Sequence, residues 1–366
     1  MNLTLLGGVT FVLVFAGSIL LHEFGHFLAA RSVGIEVEEF GIGFPPRMFT
    51  LFTWKGTKFT FNWLPLGGFN RMKGEDDPEA SGGFMDAKPW ARITTLLAGS
   101  AMNILTAVVA FSIYFSQVGV PNFDVVQILD VSPSSPALQA GLQVDDIVVS
   151  ADGQEITNTY QLHSIILANL DEALEISILR GEKPMELLVY PDSKRSEQEG
   201  ATGMLLGSKL EPAKSWFATI PISLQATYET GKELISLPGR LLAGAIQPSE
   251  AELLGPRSIW NLFQESVQRD VESRQPGPDA QTQIPTNYTL SGIISLTLSL
   301  GIINLLPIPA LDGGRIIFVL FEVIFRKKIP ARFESMIHGI TFLILISVLG
   351  YFYIMDFINP VSITLP

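Results

Sequence analysis

A chain of 366 residues with 47% hydrophobic residues, 16% charged residues and a mean hydropathy of +0.34 is too apolar for an ordinary soluble protein. The absence of cysteine excludes disulfides, thiolate metal sites and thiol nucleophiles, so any strong metal ligand must be an imidazole or a carboxylate. A formal net charge of -12 argues against general nucleic-acid binding.

Four stretches are expected to cross a bilayer, at 3–30, 93–118, 289–311 and 336–358, each near or above the ~20 residues a span requires. The first is expected to be retained rather than cleaved, because no Lys or Arg precedes Arg31 and no small-residue cleavage pattern ends the run. That run closes in LHEFGHFLAA. On a helix His22 and His26 lie one turn apart on one face, so both rings can reach a single zinc ion, with Glu23 beside them to act on water held there. Zinc lowers the pKa of such water toward ~7, which suits peptide hydrolysis. The bland alternative, two histidines satisfied by neighbouring helices, leaves three polar side chains at a span end at a cost of several kcal/mol.

Between the first two spans, Ile35 to Met72 reads as strands. Lys55-Gly56 supplies a turn, and Phe59, Phe61 and Trp63 alternate with Lys58, Thr60 and Asn62 at the period of a half-exposed strand. Its apolar face packs on the membrane part or captures an unwound peptide by strand addition, which makes Phe59 and Phe61 candidate substrate contacts. Arg31, Arg47, Lys55, Lys58, Arg71, Lys73, Lys88 and Arg92 mark this loop as cytoplasmic, as Arg326, Lys327, Lys328 and Arg332 mark the third loop. By alternation the segment 119–288 and both termini lie outside.

Within the outer segment the reading is β-rich, with strand-like runs at Glu175 to Leu179 and Met185 to Tyr190 and turns at Asp152-Gly153 and Arg180-Gly181. Ser135-Pro136-Ala137, Ala140-Gly141-Leu142 and Asp145-Asp146-Ile147, in that order, resemble a PDZ domain of the bacterial type. Residues 214–266 mix apolar patches with Glu229, Lys232, Glu233 and Arg240, which fits a helix on the membrane surface better than a span. QRDVESRQPGPDAQTQIP then reads as a polar linker.

The third span ends in NLLPIPALDGGR. The first and third spans run the same way, and His22 and Asp312 lie at similar depth, so Asp312 is the best candidate for a third ligand. Pro307 and Pro309 break the helix there, and irregular backbone at membrane depth is tolerated only against protein or a wet cavity. Gly313 and Gly314 would let the Asp312 carboxylate turn to a metal without steric cost, although LDGG read alone is equally a turn ending the span. His163 is expected at a surface or in packing, His338 at an interface or satisfied, and Glu322 paired with Arg326 one turn on.

HEFGH in the first span, AGSAMN in the second, the PDZ-like domain, GPRSIW and NLLPIPALDGG occur in the order of the site-2 protease family, which the chain resembles over nearly its whole length. The resemblance implies that His22, His26 and Asp312 bind Zn2+, that Glu23 is the general base, and that Asn304 helps hold the substrate or polarise its carbonyl. It implies a polytopic α-helical protein of the bacterial cytoplasmic membrane with four transmembrane helices, an extracytoplasmic PDZ domain and a cytoplasmic-side β-hairpin, and an active site near the cytoplasmic side. The expected parts are 1–118, a PDZ domain at 119–210, surface helices and linker at 211–288, and a second membrane part at 289–366. The expected substrate is a single-span membrane protein within the lipid bilayer, an anti-sigma factor or a remnant signal peptide, after a first cleavage by another protease. Two rival readings are a catalytically silent PDZ-bearing scaffold and a metal transporter using the same ligands in transit.

Overall fold

The computed structural model describes residues 3–75, 83–195, 200–212, 214–242, 256–273, 287–327 and 329–358. It divides into two compact units, Met1–Val118 with Trp216–Pro366, and Gly119–Ser215. In chain order the first unit carries α1 (Leu3–Ser32), β1 (Val37–Trp54), β2 (Thr57–Met72) and α2 (Pro89–Val118). The second carries β3 (Val120–Val131), α3 (Pro136–Gln139), β4 (Ile147–Ala151), β5 (Gln154–Glu155), α4 (Thr159–Ala168), β6 (Leu174–Arg180), β7 (Lys183–Val189) and β8 (Met204–Glu211). The first unit resumes with α5 (Ile220–Leu242), α6 (Pro256–Glu272), α7 (Tyr288–Leu305), α8 (Asp312–Phe325) and α9 (Ala331–Ile358).

Among the described residues, four helices are long and apolar enough to cross a membrane: α1, α2, α7 and, over Phe333–Ile358, α9. Without a hydrophobic drive between helices in lipid, close approach depends on small residues and buried polar contacts. The first unit uses both. A methyl group at Gly25 of α1 would run into the Ala98 carbonyl of α2 and come within 2.9 Å of Met102 Cβ. Ser18 of α1 meets Thr297 of α7 at 3.0 Å, and Gly301 of α7 rests against Ser100 and Asn103 of α2. Gly7 and Gly8 of α1 receive Gln264 and Trp260 of α6.

Two carboxylates fasten helix starts, whose first N–H groups have no intrahelical partner. Asp356 of α9 accepts from the N–H groups of Arg257 and Ser258 at 2.9 and 3.1 Å, and Asp270 of α6 accepts from those of Tyr288 and Thr289 at 2.8 and 2.9 Å. The region where surface helices are expected, 211–288, carries two helices, α5 and α6. Most of the expected polar linker, residues 274–286, lies outside the described residues, as does Lys328.

The third apolar stretch differs from its expected bounds of 289–311. The helix stops at Leu305, with Leu306 turning to extended backbone, because Pro307 and Pro309 have no N–H to continue it. The chain then forms the short loop 306–311 and restarts as α8 at Asp312, a helix where the expected spans leave only a loop. On α8, Glu322 pairs not with Arg326 but with Arg92 of α2 at 2.6 Å, both side chains buried. Packing decides this: Arg326 sits past the helix end in left-handed backbone, whereas Arg92 is enclosed against Phe84.

β1 and β2 form an antiparallel hairpin whose turn, Lys55-Gly56, has positive φ at both residues (47° and 85°), the geometry of a two-residue hairpin loop. The ladder curls back on itself, since Phe40 lies opposite both Asn70 and Phe59, and Gly41 opposite both Phe69 and Thr60. The strand 37–42 is therefore flanked on one side by 68–72 and on the other by 58–61. The expected alternation is reversed in part: Thr60 and Asn62 are buried and Trp63 is exposed. Polar partners inside the curl explain it. Thr60 donates to Glu39 at 2.9 Å, Asn62 donates to the carbonyl of Gly43 at 3.1 Å, and Glu39 also binds Arg47 at 2.7 Å and Arg71 at 3.3 Å. The apolar contact to α1 is made by Phe40 and Phe59, which enclose Phe27.

The second unit is a six-stranded antiparallel sheet in the order β7-β6-β4-β3-β8, with β5 paired to β4. Its core joins Val126 and Ile128 of β3, Val148 of β4, Ile176 and Ile178 of β6 and Leu162 and Ile166 of α4. Ser135 caps α3 by accepting from the Leu138 N–H, with Pro136 at the first helical position. Asp146, fully buried, accepts two hydrogen bonds from the Arg180 guanidinium, at 2.8 and 2.7 Å, and one from the Gln143 N–H at 2.8 Å.

Candidate metal centre and active site

The helical period carries His22 and His26 to one face of α1, and the restart of the chain after the proline loop places Asp312 opposite them as the first residue of α8. Nε2 of His22 and Nε2 of His26 are 3.0 Å apart. Oδ2 of Asp312 is 3.0 Å from the first and 3.2 Å from the second. A tetrahedral centre with zinc–ligand bonds of about 2.0–2.2 Å spaces its ligand atoms roughly 3.3 Å apart. The three side chains thus fit zinc, and three protein ligands is the number that catalytic zinc sites use, leaving one position for water or substrate.

Proton accounting leads to the same place. Nδ1 of His26 is 2.7 Å from the Thr95 carbonyl oxygen, which can only accept, so in the neutral, metal-binding form of the ring the proton sits on Nδ1 and Nε2 is a bare acceptor. That acceptor faces the second imidazole and a carboxylate oxygen that has no hydrogen-bond donor, both buried. A single proton on His22 could serve one of these contacts only; a cation among the three atoms satisfies all of them.

The second helix closes the site from behind. Gly99 of α2 lies directly against both rings, so that a methyl group there would overlap Nε2 of His26 and come within 2.7 Å of Cε1 of His22. Glu23, half-buried on α1, lies within electrostatic reach of His26, Asp312, Glu75 and Arg315. Among the described residues no hydrogen bond or ion pair engages its carboxylate, and the neighbouring Glu75 and Arg315 pair with each other. Gly313 and Gly314 serve packing rather than backbone freedom. Both are helical, and a methyl group at either would overlap carbonyl oxygens of Leu305, Leu306 or Ile308 in the turn just before.

The remaining candidates lie further out. Asn304 is half-buried in the last turn of α7. Phe59 sits inside an aromatic cluster with Phe27, Phe40 and Phe52, and Phe61 stacks on Phe49 at 5.5 Å. Two residues against the histidines escaped sequence reasoning, Thr95 through its carbonyl and Gly99, while His338, expected at an interface or satisfied, accepts through Nδ1 from the Ala310 N–H at 2.8 Å. Only Gly99 left a signal, as the glycine of AGSAMN.

Comparison with known proteins returns a match to the family described as Peptidase family M50 over residues 10–348. The chain is similar to zinc metalloprotease RasP of Geobacillus kaustophilus, 28% identical over 92% of this chain and 94% of the relative. It is also similar to the probable protease eep of Enterococcus faecalis, 27% identical over 91% and 94%. A Clostridium perfringens protein is 28% identical over 96% of this chain and 98% of its own length.

Proposed function

The chain belongs to peptidase family M50, the site-2 proteases, and is a zinc metalloprotease; from this premise we propose that it is an intramembrane endopeptidase that cuts a transmembrane segment of another protein near its cytoplasmic end. The observation that carries the reading is the convergence of His22 and His26, on a helix long and apolar enough to cross a bilayer, with Asp312 at the start of α8, reached by the short loop that follows another such helix. Zinc, when bound, supplies Lewis acidity that polarises the scissile carbonyl and acidifies water. The protein's own residues do the rest. His22, His26 and Asp312 hold the ion, the Thr95 carbonyl fixes the His26 tautomer, and Glu23 takes a proton from the attacking water and passes it to the leaving nitrogen.

A helical substrate hides its peptide bonds in internal hydrogen bonds, so it must unwind before it can be cut. The hairpin offers sheet edges for the unwound strand, and its Gly67 and Gly68 rest on Ile19 and Leu20, within one turn of His22. Phe61 and Asn304 are the proposed contacts to that strand and to its scissile carbonyl, with Phe59 supporting them from within the aromatic cluster. The basic residues of 31–92 and of the loop after α8 support a cytoplasmic hairpin and an extracytoplasmic Gly119–Ser215 unit in the inner membrane. That unit, PDZ-like in its motif order, would admit membrane proteins whose outer domain has already been removed, of the anti-sigma factor or remnant signal peptide type.

The test is cleavage of a detergent-solubilised transmembrane segment by the purified protein and by Glu23→Gln, with zinc measured in both. Equal zinc with cleavage by the unmodified protein alone is expected. Cleavage surviving in Glu23→Gln would remove Glu23 as the base, and equal zinc with no cleavage by either form across several substrates would remove the protease reading.

A further inference from the structure

α9 is the most outward-facing of the apolar helices, with rows of exposed aliphatic and aromatic side chains, yet it carries one ring turned to the catalytic loop. Nδ1 of His338 accepts a hydrogen bond from the Ala310 N–H at 2.8 Å. Because an amide can only donate, Nδ1 is bare and the ring is the Nε2–H tautomer. Nε2 lies 3.8 Å from Oε1 of Glu334, one turn earlier on α9, and Phe318 of α8 lies against the ring at 5.2 Å between centroids.

The loop that this bond reaches is short of other anchors. Of residues 306–311, two are prolines with no N–H, and the N–H groups of Leu306, Ile308 and Leu311 bond only to carbonyls of Ile303, Leu306 and Ile308. The Ala310 N–H is the one that reaches a different element. Ala310 itself has φ 83°, a left-handed conformation that a residue with a Cβ adopts at a cost and that persists only where the surroundings enforce it. Two residues later the chain presents Asp312.

We propose that His338 is a positioning residue for the metal centre: by holding the Ala310 N–H it keeps the loop in the strained turn that aims the Asp312 carboxylate between His22 and His26. The inference rests on Asp312 being a zinc ligand. His338 stands outside the His22, His26 and Asp312 cluster and bonds to the loop, through which it acts.

The experiment uses the full-length protein in detergent, with zinc affinity read by competition against a chromophoric chelator and with kcat and KM measured separately. His338→Leu removes the acceptor and is expected to weaken zinc binding by about tenfold or more, as loss of an outer-sphere partner does, and to lower kcat with KM little changed. His338→Asn, whose Oδ1 can stand where Nδ1 stood, is expected to restore most of the affinity. Ala310→Gly in the His338→Leu background should also restore it, because glycine adopts φ 83° without the cost and no longer needs the anchor. Should His338→Leu fail to accumulate, His338→Phe keeps the ring against Phe318 and removes the acceptor. Unchanged zinc affinity in the acceptor-less variant, or a loss that neither His338→Asn nor Ala310→Gly repairs, overturns the proposal. Asp312→Asn separates it from the reading it rests on. Retained zinc in Asp312→Asn would remove the ligand assignment itself, whereas zinc lost there but kept in His338→Leu would remove only the role of His338.

Discussion

Gly99→Ala adds one methyl group to α2 at the point where it meets the two histidines of the proposed metal centre. Its carbon would lie 2.6 Å from Cε1 of His26 and 2.7 Å from Cε1 of His22, and would overlap Nε2 of His26. Carbon atoms in ordinary contact stand about 3.5–4.0 Å apart, so the rings must retreat by roughly 0.8 Å or more, or α1 and α2 must part. A metal site tolerates shifts in ligand distance of only about 0.2 Å. Parting the helices would forfeit the close packing right beside the site, where Gly25 sits against the Ala98 carbonyl. The expected loss in zinc affinity is about 10- to 100-fold, or roughly 1.4–2.8 kcal/mol. The assay is chelator competition on the purified protein, with Gly17→Ala as control, since a methyl group at Gly17, on the helix that carries the two histidines, meets nothing within 4 Å. Zinc binding by Gly99→Ala as tight as in the unmodified protein and in Gly17→Ala would refute the claim that this glycine shapes the site.

The Arg92–Glu322 pair gives a second test. Removing one partner of a buried ion pair costs about 3–5 kcal/mol, so Glu322→Gln should unfold at markedly lower temperature, while Arg92→Met with Glu322→Met should recover much of the loss. Equal cost in the single and double variants would mean the two residues do not act as a pair. A third test uses pH. Burial pushes the Glu39 carboxyl up, but the Arg47 and Thr60 hydrogen bonds and the Arg47 and Arg71 charges outweigh it and hold the group below its ordinary value. A depressed folded value means that the stabilisation is complete above the ordinary carboxylate range and disappears as pH falls through the folded value. Hydrogen-exchange protection of residues 37–72 should therefore fall below about pH 4 in the unmodified protein, and Glu39→Gln should be weaker at neutral pH and insensitive across that window. A parallel fall in both proteins would assign the acid sensitivity to other groups.

What could be read from the chain follows physical rules of different reach. The facing of His22 and His26 needs only the helical period, and the hairpin turn needs only Lys55-Gly56. The interruption after α7 was visible in Pro307 and Pro309, but α8 was not, because its apolar residues follow the span too closely for hydropathy to separate them. Alternation alone turns Thr60 and Asn62 outward, because polar residues usually face water; inside the curl they find a carboxylate and a carbonyl, which no local pattern announces. The partner of Glu322 stands 230 residues away, while Arg326 stood one turn away and was the wrong choice. The Thr95 carbonyl is invisible for a plainer reason: every residue has one.

The hairpin touches α1 on both sides of the metal-binding turn, with Gly67 and Gly68 on Ile19 and Leu20 and with Phe40 and Phe59 around Phe27. These supports are eight residues apart from Ile19 to Phe27, about 12 Å of helix, and the two histidines fall between them. A sheet fixed at two points along one rigid rod can neither slide nor tilt relative to what the rod carries in between. On the proposed reading, a strand laid along that sheet would be gauged from the same origin as the metal, and the bond that reached the metal would be set by its distance along the strand. An enzyme that held its substrate so would measure it rather than spell it, fixing the position of the cut while the residues around it vary.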